Sequence, residues 1–212
     1  MYLTLEVRWF YPGRLPGQLV AWLDRLGCLP AGLSPRKDHY LRLASPPTLG
    51  IKLREGNIEV KARLGEPREV QLGPRAAGRL APWRKWSFPL APDITPLERL
   101  LVPGPAWISV TKERRLQRYR LGSGPEPVAV PLEAPAELGC EFELSRAWAG
   151  GEEWWSACFE AFGPESGLER ALMTVAAQVL GPGWPLPLEV EHSLSYPAWL
   201  ERFSGPAEPL KH

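Results

Sequence analysis

The feature that most limits what this chain can fold into is an alternation of apolar and charged residues that recurs in short segments. In residues 3–9, apolar side chains occupy the odd positions and Thr4, Glu6 and Arg8 occupy the even ones. Successive side chains of a β-strand point to opposite faces of the sheet, so this segment is predicted to be a strand. One face of that strand is apolar and the other is polar and charged.

Similar patterns predict seven more strands. Two of them meet at Glu55-Gly56, a sequence typical of a tight hairpin turn. The arms of this hairpin place Lys52 and Arg54 on one face of the first strand and Glu59, Lys61 and Arg63 on one face of the second. The predicted strands after the first are residues 39–44, 49–54, 57–64, 83–88, 107–119, 140–144 and 154–162. A Pro-, Gly- and Arg-rich stretch at 73–82 separates the hairpin from the strands that follow.

Helical spacing of apolar residues occurs in two places. Residues 17–26 predict a short amphipathic helix, and residues 166–179 predict another that begins at a Ser-x-x-Glu capping box formed by Ser166 and Glu169. Residues 196–203 predict one last short helix, with Trp199 and Phe203 packed on the body. The sequence therefore predicts a mainly β protein, an antiparallel barrel with two or three flanking helices.

Length and composition predict the domain organisation and argue against several functions. A chain of 212 residues fits one domain, with the proline-rich residues 183–212 as a C-terminal extension packed on it. Because 25 basic and 24 acidic residues leave a net charge of +1, any anion site is local, and nucleic acid is not an expected partner. The three histidines lie far apart, which argues against a zinc site or a serine-histidine-aspartate triad.

Cysteine usage and hydropathy indicate a cellular location. The three cysteines form no Cys-x-x-Cys pair, and no segment approaches the roughly 20 apolar residues that cross a bilayer. We therefore expect a cytoplasmic protein that does not associate with membranes.

Charged residues recur at alternating positions of several predicted strands, and this leaves two interpretations. They form either the solvated outer face of a β-sandwich or the polar interior of a barrel. Arg84 and Lys85 are adjacent, so only one of them can point inward, and the sequence does not decide which. The basic members of the set are Arg8, Arg42, Lys52, Arg54, Lys61, Arg63, Lys112 and Arg114. The acidic members are Glu6, Glu59, Glu141, Glu143 and Glu160.

The basic residues of this set suit phosphate groups. Arginine offers a planar fork to phosphate oxygens and lysine offers a point charge, so several of each on one concave surface predict a polyanion site. The glutamates either hold Mg²⁺ or Mn²⁺, which bridge carboxylates to phosphates, or pair with the basic residues. The sequence alone does not separate these two roles.

These motifs, taken in order over residues 3–162, resemble the CYTH superfamily of triphosphate tunnel proteins. The resemblance starts at Glu6 and Arg8, continues through the two hairpin strands and the basic strand of Lys112 and Arg114, and ends at Glu160. Proteins of that superfamily have an antiparallel barrel whose interior binds triphosphate compounds, with basic residues on the phosphates and glutamates on a divalent metal. The family signature is Glu-x-Glu-x-Lys, whereas the aligned residues here are Thr4, Glu6 and Arg8.

Carried over to this chain, the resemblance assigns roles to ten residues, and the charge pattern adds Arg8 and Arg42 to the predicted phosphate ligands. The phosphate ligands implied by the resemblance are Lys52, Arg54, Lys61, Arg63, Lys112 and Arg114. The implied metal ligands are Glu6, Glu141, Glu143 and Glu160, with Mg²⁺ or Mn²⁺ as the expected ion.

Three functional hypotheses follow. The first is a barrel that binds a triphosphate or polyphosphate compound and hydrolyses it with the help of a divalent metal, although no catalytic residue is identified. The second is a non-catalytic phosphate-binding or interaction scaffold, which the threonine at position 4 favours because one family carboxylate is missing. The third is a β-sandwich with a solvated charged face and a partner-binding C-terminal tail. The sequence leaves the ligand and the oligomeric state open, including a homo-oligomer.

Overall fold

The computed structural model of this chain describes residues 2–26, 29–30, 35–43, 47–90, 106–122, 124 and 126–203. The alternating segments of the sequence form most of its strands. The strands are β1 (Tyr2–Pro12), β2 (Leu29–Pro30), β3 (Arg36–Leu41), β4 (Leu49–Arg54), β5 (Asn57–Arg63), β6 (Arg68–Gly73), β7 (Ala76–Pro89), β8 (Trp107–Arg120), β9 (Val128–Val130), β10 (Gly139–Ala149) and β11 (Glu152–Phe162).

Eight of these strands close into an antiparallel barrel. Their order is β1, β11, β10, β8, β3, β4, β5 and β7, and β7 pairs back with β1 to complete the ring. The short strands β2 and β9 pair with β8, while β6 forms a hairpin with β7 outside the ring. Closure leaves no unpaired edge among the eight strands. The predicted fold class, an antiparallel β-barrel with two or three flanking helices, is confirmed.

Three α-helices accompany the barrel in the described residues: α1 (Gly17–Leu26), α2 (Glu165–Val179) and α3 (Tyr196–Leu200). Two 3₁₀ turns, Val190–His192 and Glu201–Phe203, flank α3. The apolar sides of α1 and α2 pack on the outer face of the barrel wall, where they form one core with apolar residues of β1, β10 and β11. The members that carry this core include Val7, Trp9, Leu23, Phe142, Leu144, Phe159, Leu172 and Val175. None of the helices in the ranges given above is long and apolar enough to cross a membrane.

A second apolar cluster closes one end of the barrel. The ring of Trp199 on α3 stacks on Phe10 of β1 at a centroid distance of 4.5 Å, and Tyr196 stacks on Tyr40 of β3 at 5.4 Å. Trp199 also meets Phe203 edge to face at 5.0 Å, and both rings contact Trp154 of β11, which is the predicted packing on the body. We call this cluster the plug. It consists of Phe10, Tyr40, Ile108, Val110, Ala147, Ala149, Trp154, Tyr196, Trp199 and Leu200.

The stretch at 73–82 differs from its predicted role as a separator. It contains the last residues of β6, a turn and the first half of β7. Burial does alternate over residues 76–80 of β7, but alanine and glycine occupy most of these positions, so the sequence shows no clear alternation. A Cβ on Gly78 would lie 2.5 Å from the Trp9 ring and 2.6 Å from Val7, so only glycine fits here without rearrangement. Strand β6 was not predicted from the sequence.

The predicted capping box of α2 is wrong. The residue at the N-cap is Pro164, and no side-chain hydrogen bond caps the helix there. Ser166 and Glu169 both lie inside the helix, because the helix begins at Glu165. Proline is compatible with this boundary because it lacks the N–H group that would otherwise need a partner.

Candidate functional site

The interior of the barrel, here called the lumen, contains a cavity of about 150 Å³. One buried water needs about 10 to 15 Å³ on a comparable measure, so there is room for an anion with some of its waters. All eight barrel strands and α3 contribute to the lining, and the basic side chains outnumber the acidic ones. The basic side chains of the lining are Arg8, Arg36, Lys52, Lys61, Lys85, Lys112 and Arg114. The acidic ones are Glu6, Glu59, Glu143 and Glu160.

Alternation along the strands explains how these charges converge. On β1, Glu6 and Arg8 face the lumen, while Val7 and Trp9 between and beside them are buried in the outer core. The sequence-predicted residues that the structure brings together in the lumen are Arg8, Lys52, Lys61, Lys112, Arg114, Glu6, Glu143 and Glu160.

Three other predicted residues lie outside the cavity lining. Arg42 follows the end of β3 and donates from Nη1 to the carbonyl oxygen of Phe203 at 2.9 Å. Arg54, at the end of β4, pairs through Nη2 with Glu59 at 2.7 Å. Glu141, near the start of β10, accepts from Nε of Arg118 at 2.9 Å. Each of the three lies at or beyond a strand end.

Arg63 lines a second cavity, of about 130 Å³, which shares Glu6 and Arg8 with the first. Its Nη2 also pairs with Glu66 at 3.1 Å. The shared residues place Arg63 beyond Glu6 and Arg8 as seen from the main cavity. Six of the eight predicted phosphate ligands therefore line one or other of two neighbouring cavities.

A buried carboxylate, Asp38 of β3, organises one side of the main cavity. Its side chain is fully buried and accepts hydrogen bonds from Nζ of Lys112 at 2.9 Å and of Lys52 at 3.3 Å. Nε of Arg36 pairs with its other oxygen at 3.0 Å. Burial alone would raise the pKa of Asp38, but the charges of Lys112, Lys52 and Arg36 outweigh burial and hold that pKa well below its usual range.

Lys112 contacts both Asp38 and residues of the plug. Its Nζ donates to the hydroxyl of Tyr40 at 2.6 Å and lies 3.9 Å from the ring centroid of Tyr196. Burial lowers the pKa of Lys112 well below its ordinary value, and the charge of Asp38 only partly offsets this effect. The hydroxyl of Tyr196 is buried and has no hydrogen-bond partner among the residues that the structure describes. The hydroxyl of Tyr196 is therefore a polar atom without a partner at the closed end of the cavity, again among the described residues.

Arg8 organises the opposite side of the cavity. Its Nη1 donates to Oε1 of Glu143 at 2.9 Å, and its Nε lies 3.8 Å from Oε1 of Glu6. Nζ of Lys61 donates to the same oxygen of Glu6 at 3.3 Å. Burial would raise the pKa of Glu6, but Lys61, Arg8 and Lys85 outweigh it and hold that pKa at about 2. The carboxylates of this cluster are thus ionised at neutral pH.

The four predicted metal ligands do not fit a divalent ion as they stand. Each of Glu6, Glu141, Glu143 and Glu160 is ion-paired with lysine or arginine. In the part of the chain that the structure describes, no group of three or more aspartate, glutamate, histidine or cysteine residues could hold a metal. Mg²⁺ needs several oxygen ligands in a nearly octahedral arrangement. The carboxylate oxygens here are directed at protein cations instead.

Several residues of the lumen were not predicted as site residues. Arg36 and Asp38 were missed because β3 was predicted to begin at residue 39, although positions 36, 38 and 40 lie on one face of a strand. Of the adjacent pair, Lys85 points into the lumen and Arg84 is exposed on the outside. Tyr196 enters the site from a separate C-terminal segment, and no sequence pattern signals this.

Comparison with known proteins gives similarity only to solved structures, since no family description and no curated protein matches the sequence. A conserved hypothetical protein from Pyrococcus furiosus is 15% identical with a TM-score of 0.48, and covers 92% of this chain and 98% of its own. The PH1012 protein of Pyrococcus horikoshii is 17% identical with a TM-score of 0.43, covering 90% and 94%. The PH1819 protein of the same organism is 12% identical with a TM-score of 0.45, covering 95% and 99%. At these values the similarity assigns no function to this chain.

Proposed function

We propose that the lumen binds a compound that carries a triphosphate or polyphosphate chain. The observation that carries this proposal is the convergence of seven basic side chains on one cavity that has only four carboxylates in its lining. Phosphate oxygens accept charge-assisted hydrogen bonds from arginine and lysine, and these bonds are about twice as strong as neutral ones. A chain of several phosphate groups matches such a distributed set of donors better than a single monovalent anion does.

The buried state of the donors adds support. Nε of Arg8 is buried without a hydrogen-bond partner among the described residues, as is the hydroxyl of Tyr196. Buried polar groups in native proteins are usually hydrogen-bonded, so unsatisfied groups around one cavity suggest a missing ligand. Because folding has already removed these donors from bulk water, an anion that enters meets a preorganised site.

Whether the protein hydrolyses the compound is a separate question from whether it binds it. The resemblance to triphosphate tunnel proteins implies metal-dependent phosphate release, and this remains a prediction. The alternative is a phosphate-binding or interaction scaffold without turnover, which two observations favour. Thr4 replaces a family glutamate, and its buried hydroxyl has no hydrogen-bond partner within the described ranges. In addition, the remaining glutamates are engaged by basic residues.

Thermal unfolding with inorganic tripolyphosphate, ATP and sulfate tests binding, because a ligand that binds only the native state raises the apparent stability. We expect a larger rise in Tm with tripolyphosphate than with sulfate at equal ionic strength. Phosphate release, measured with and without Mg²⁺ or Mn²⁺ on the same sample, separates the enzyme from the scaffold.

Adjacent residues on opposite faces of β7 provide a matched pair of variants. Lys85→Met removes a lumen donor, and we expect its affinity for tripolyphosphate to fall about tenfold or more, since one charged hydrogen bond contributes roughly 1.5 to 3 kcal/mol. Arg84→Met removes the same charge from the exposed outer face, and we expect no change in affinity. Titration calorimetry measures both. Equal affinities for the two variants, or no binding to the wild type, would contradict the proposal.

A further inference from the structure

We infer that the phosphate chain binds without a divalent metal ion, and that the lumen glutamates are counter-ions of the basic residues. This inference rests on the proposed function and concerns the form of the ligand that the lumen accepts. It would distinguish the chain from a metal-dependent tunnel protein. The argument depends on which atoms occupy the spaces between the carboxylates.

The guanidinium group of Arg8 lies between Glu6 and Glu143. Its Nη1 contacts Oε1 of Glu143 at 2.9 Å and its Nε lies 3.8 Å from Oε1 of Glu6. Only 7% of the Arg8 surface is exposed, and the Nη1 group also donates to Ser156 at 3.2 Å. A metal ion that bridged the two carboxylates would have to displace a buried, hydrogen-bonded arginine.

Lys85 has the same relation to the other pair of carboxylates. Its Nζ lies 3.9 Å from Oε2 of Glu6 and donates a hydrogen bond to Oε1 of Glu160. The Cα atoms of Glu6 and Glu160 are paired across β1 and β11, so these two carboxylates are close neighbours on the barrel wall. A protein cation therefore lies between the carboxylates of both pairs, Arg8 between Glu6 and Glu143 and Lys85 between Glu6 and Glu160.

The second oxygen of Glu143 is also engaged. Oε2 accepts from Nη1 of Arg114 at 3.3 Å, while Oε1 accepts from Arg8. Binding of a divalent cation here would require Glu143 to release both arginines in a lumen where basic side chains are already in excess. Removing a partner from a buried charge is unfavourable, and added positive charge would increase the repulsion.

A phosphate chain avoids this conflict because its negative charge is attracted by the excess of basic side chains and adds no positive charge to the lumen. Arg8 and Arg114 offer several N–H groups each, and a phosphate oxygen accepts from the same groups that a carboxylate oxygen does. Glutamate and phosphate then compete for the same donors. The two roles of Glu143 consequently predict opposite effects of its removal on ligand affinity.

The variant Glu143→Gln tests which of these opposite effects on ligand affinity occurs. If Glu143 is a counter-ion, loss of its negative charge raises the affinity for tripolyphosphate, and we expect a rise of about three- to tenfold. If it is a metal ligand, the same variant binds more weakly in Mg²⁺ than the wild type does. Glu113→Gln is the matched control, because Glu113 pairs with Arg146 outside the lumen, and its affinity should not change.

Titration calorimetry of the wild-type protein gives a second test, which does not depend on whether a variant folds. We expect tripolyphosphate to bind in EDTA at least as tightly as in excess Mg²⁺ or Mn²⁺, because the metal competes for the free ligand. Binding that requires the metal, or weaker binding by Glu143→Gln in Mg²⁺, would overturn the inference and leave the proposed function standing. No binding in either condition would overturn the proposed function and, with it, the inference.

Discussion

The two faces of the barrel wall are built from neighbouring residues of the same strands, yet they differ in almost every physical respect. On β1, Val7 and Trp9 lie in the outer core beneath the helices, while Glu6 and Arg8 lie in the lumen. On β10, Phe142 belongs to the outer core and Glu143 to the lumen. In each case, side chains one residue apart are buried in opposite chemical environments.

Because of this difference, the residues that stabilise the fold are not the residues that we propose to bind the ligand. Apolar burial on the outer face contributes roughly 25 cal/mol per Å² and needs no particular partner. A buried charge in the lumen is tolerated only while its partners remain in place, and a complete ion pair often contributes little net stability. The outer face therefore stabilises the barrel, and the inner face supplies the charged groups of the proposed anion site.

The largest expected effect comes from breaking the outer face. Phe142→Ala removes a fully buried ring that contacts Trp22, Phe159 and Trp184. We expect the free energy of unfolding to fall by about 3 to 5 kcal/mol, as is usual for large-to-small changes in a core. Urea unfolding measures this loss. Tripolyphosphate affinity of the folded fraction should stay the same, and a marked change would contradict the separation of the two faces.

Breaking the inner face at Asp38 gives the next largest effect, with a different signature. Asp38→Asn leaves Lys112, Lys52 and Arg36 without their shared counter-charge, and we expect a loss of about 3 kcal/mol in urea unfolding. Tripolyphosphate should restore more stability to this variant than to Phe142→Ala, since the anion supplies the missing charge. Equal restoration in both variants would count against the lumen as the anion site.

Lowering the pH protonates the lumen carboxylates and does not change the apolar outer core. This gives the smallest expected effect. The pKa of Glu6 is about 2 in the folded protein and about 4.5 when unperturbed, so its contribution is complete above pH 4.5 and disappears as the pH falls towards 2. We expect protonation of Glu6 to account for a few kcal/mol at most of the decline in unfolding free energy over this window, and Glu143 and Asp38, whose pKa values are also lowered, to add to that decline. Glu6→Gln, compared with the wild type by urea unfolding at pH 7, 4 and 3, should show a shallower decline. Identical slopes would contradict the assignment.

Alternation made the barrel and its charged interior predictable from the sequence, because it fixes which face of a strand each side chain occupies. It does not fix how far along the barrel axis that side chain lies. Arg54 and Glu141 are on inward faces, but they sit near strand ends outside the cavity lining. Strand register, which the sequence does not reveal, sets this position. The choice between Arg84 and Lys85 stayed open for another reason, because residues 83–88 have apolar side chains at both odd and even positions.

The periodicity of the sequence does not reveal which residues reach the site through tertiary packing. The plug residues Tyr196 and Trp199 reach the barrel end from a short segment that pairs with no strand, and only the folded structure places them against Phe10 and Tyr40. The pairing of lumen glutamates with arginine and lysine was one of two roles that the sequence allowed. The structure shows these ion pairs through interatomic distances, such as the 2.9 Å contact of Arg8 with Glu143, and the metal-binding role stays a prediction.

The position of β1 between β7 and β11 has a consequence for how the chain folds. Glu6 pairs with Glu160, so the first strand to leave the ribosome must wait for the last strand before its second edge is satisfied. Contacts between residues so distant in sequence slow folding, and barrels of this kind typically fold in milliseconds to seconds. Until β11 is synthesised, the nascent sheet remains open and its future lumen is exposed to water.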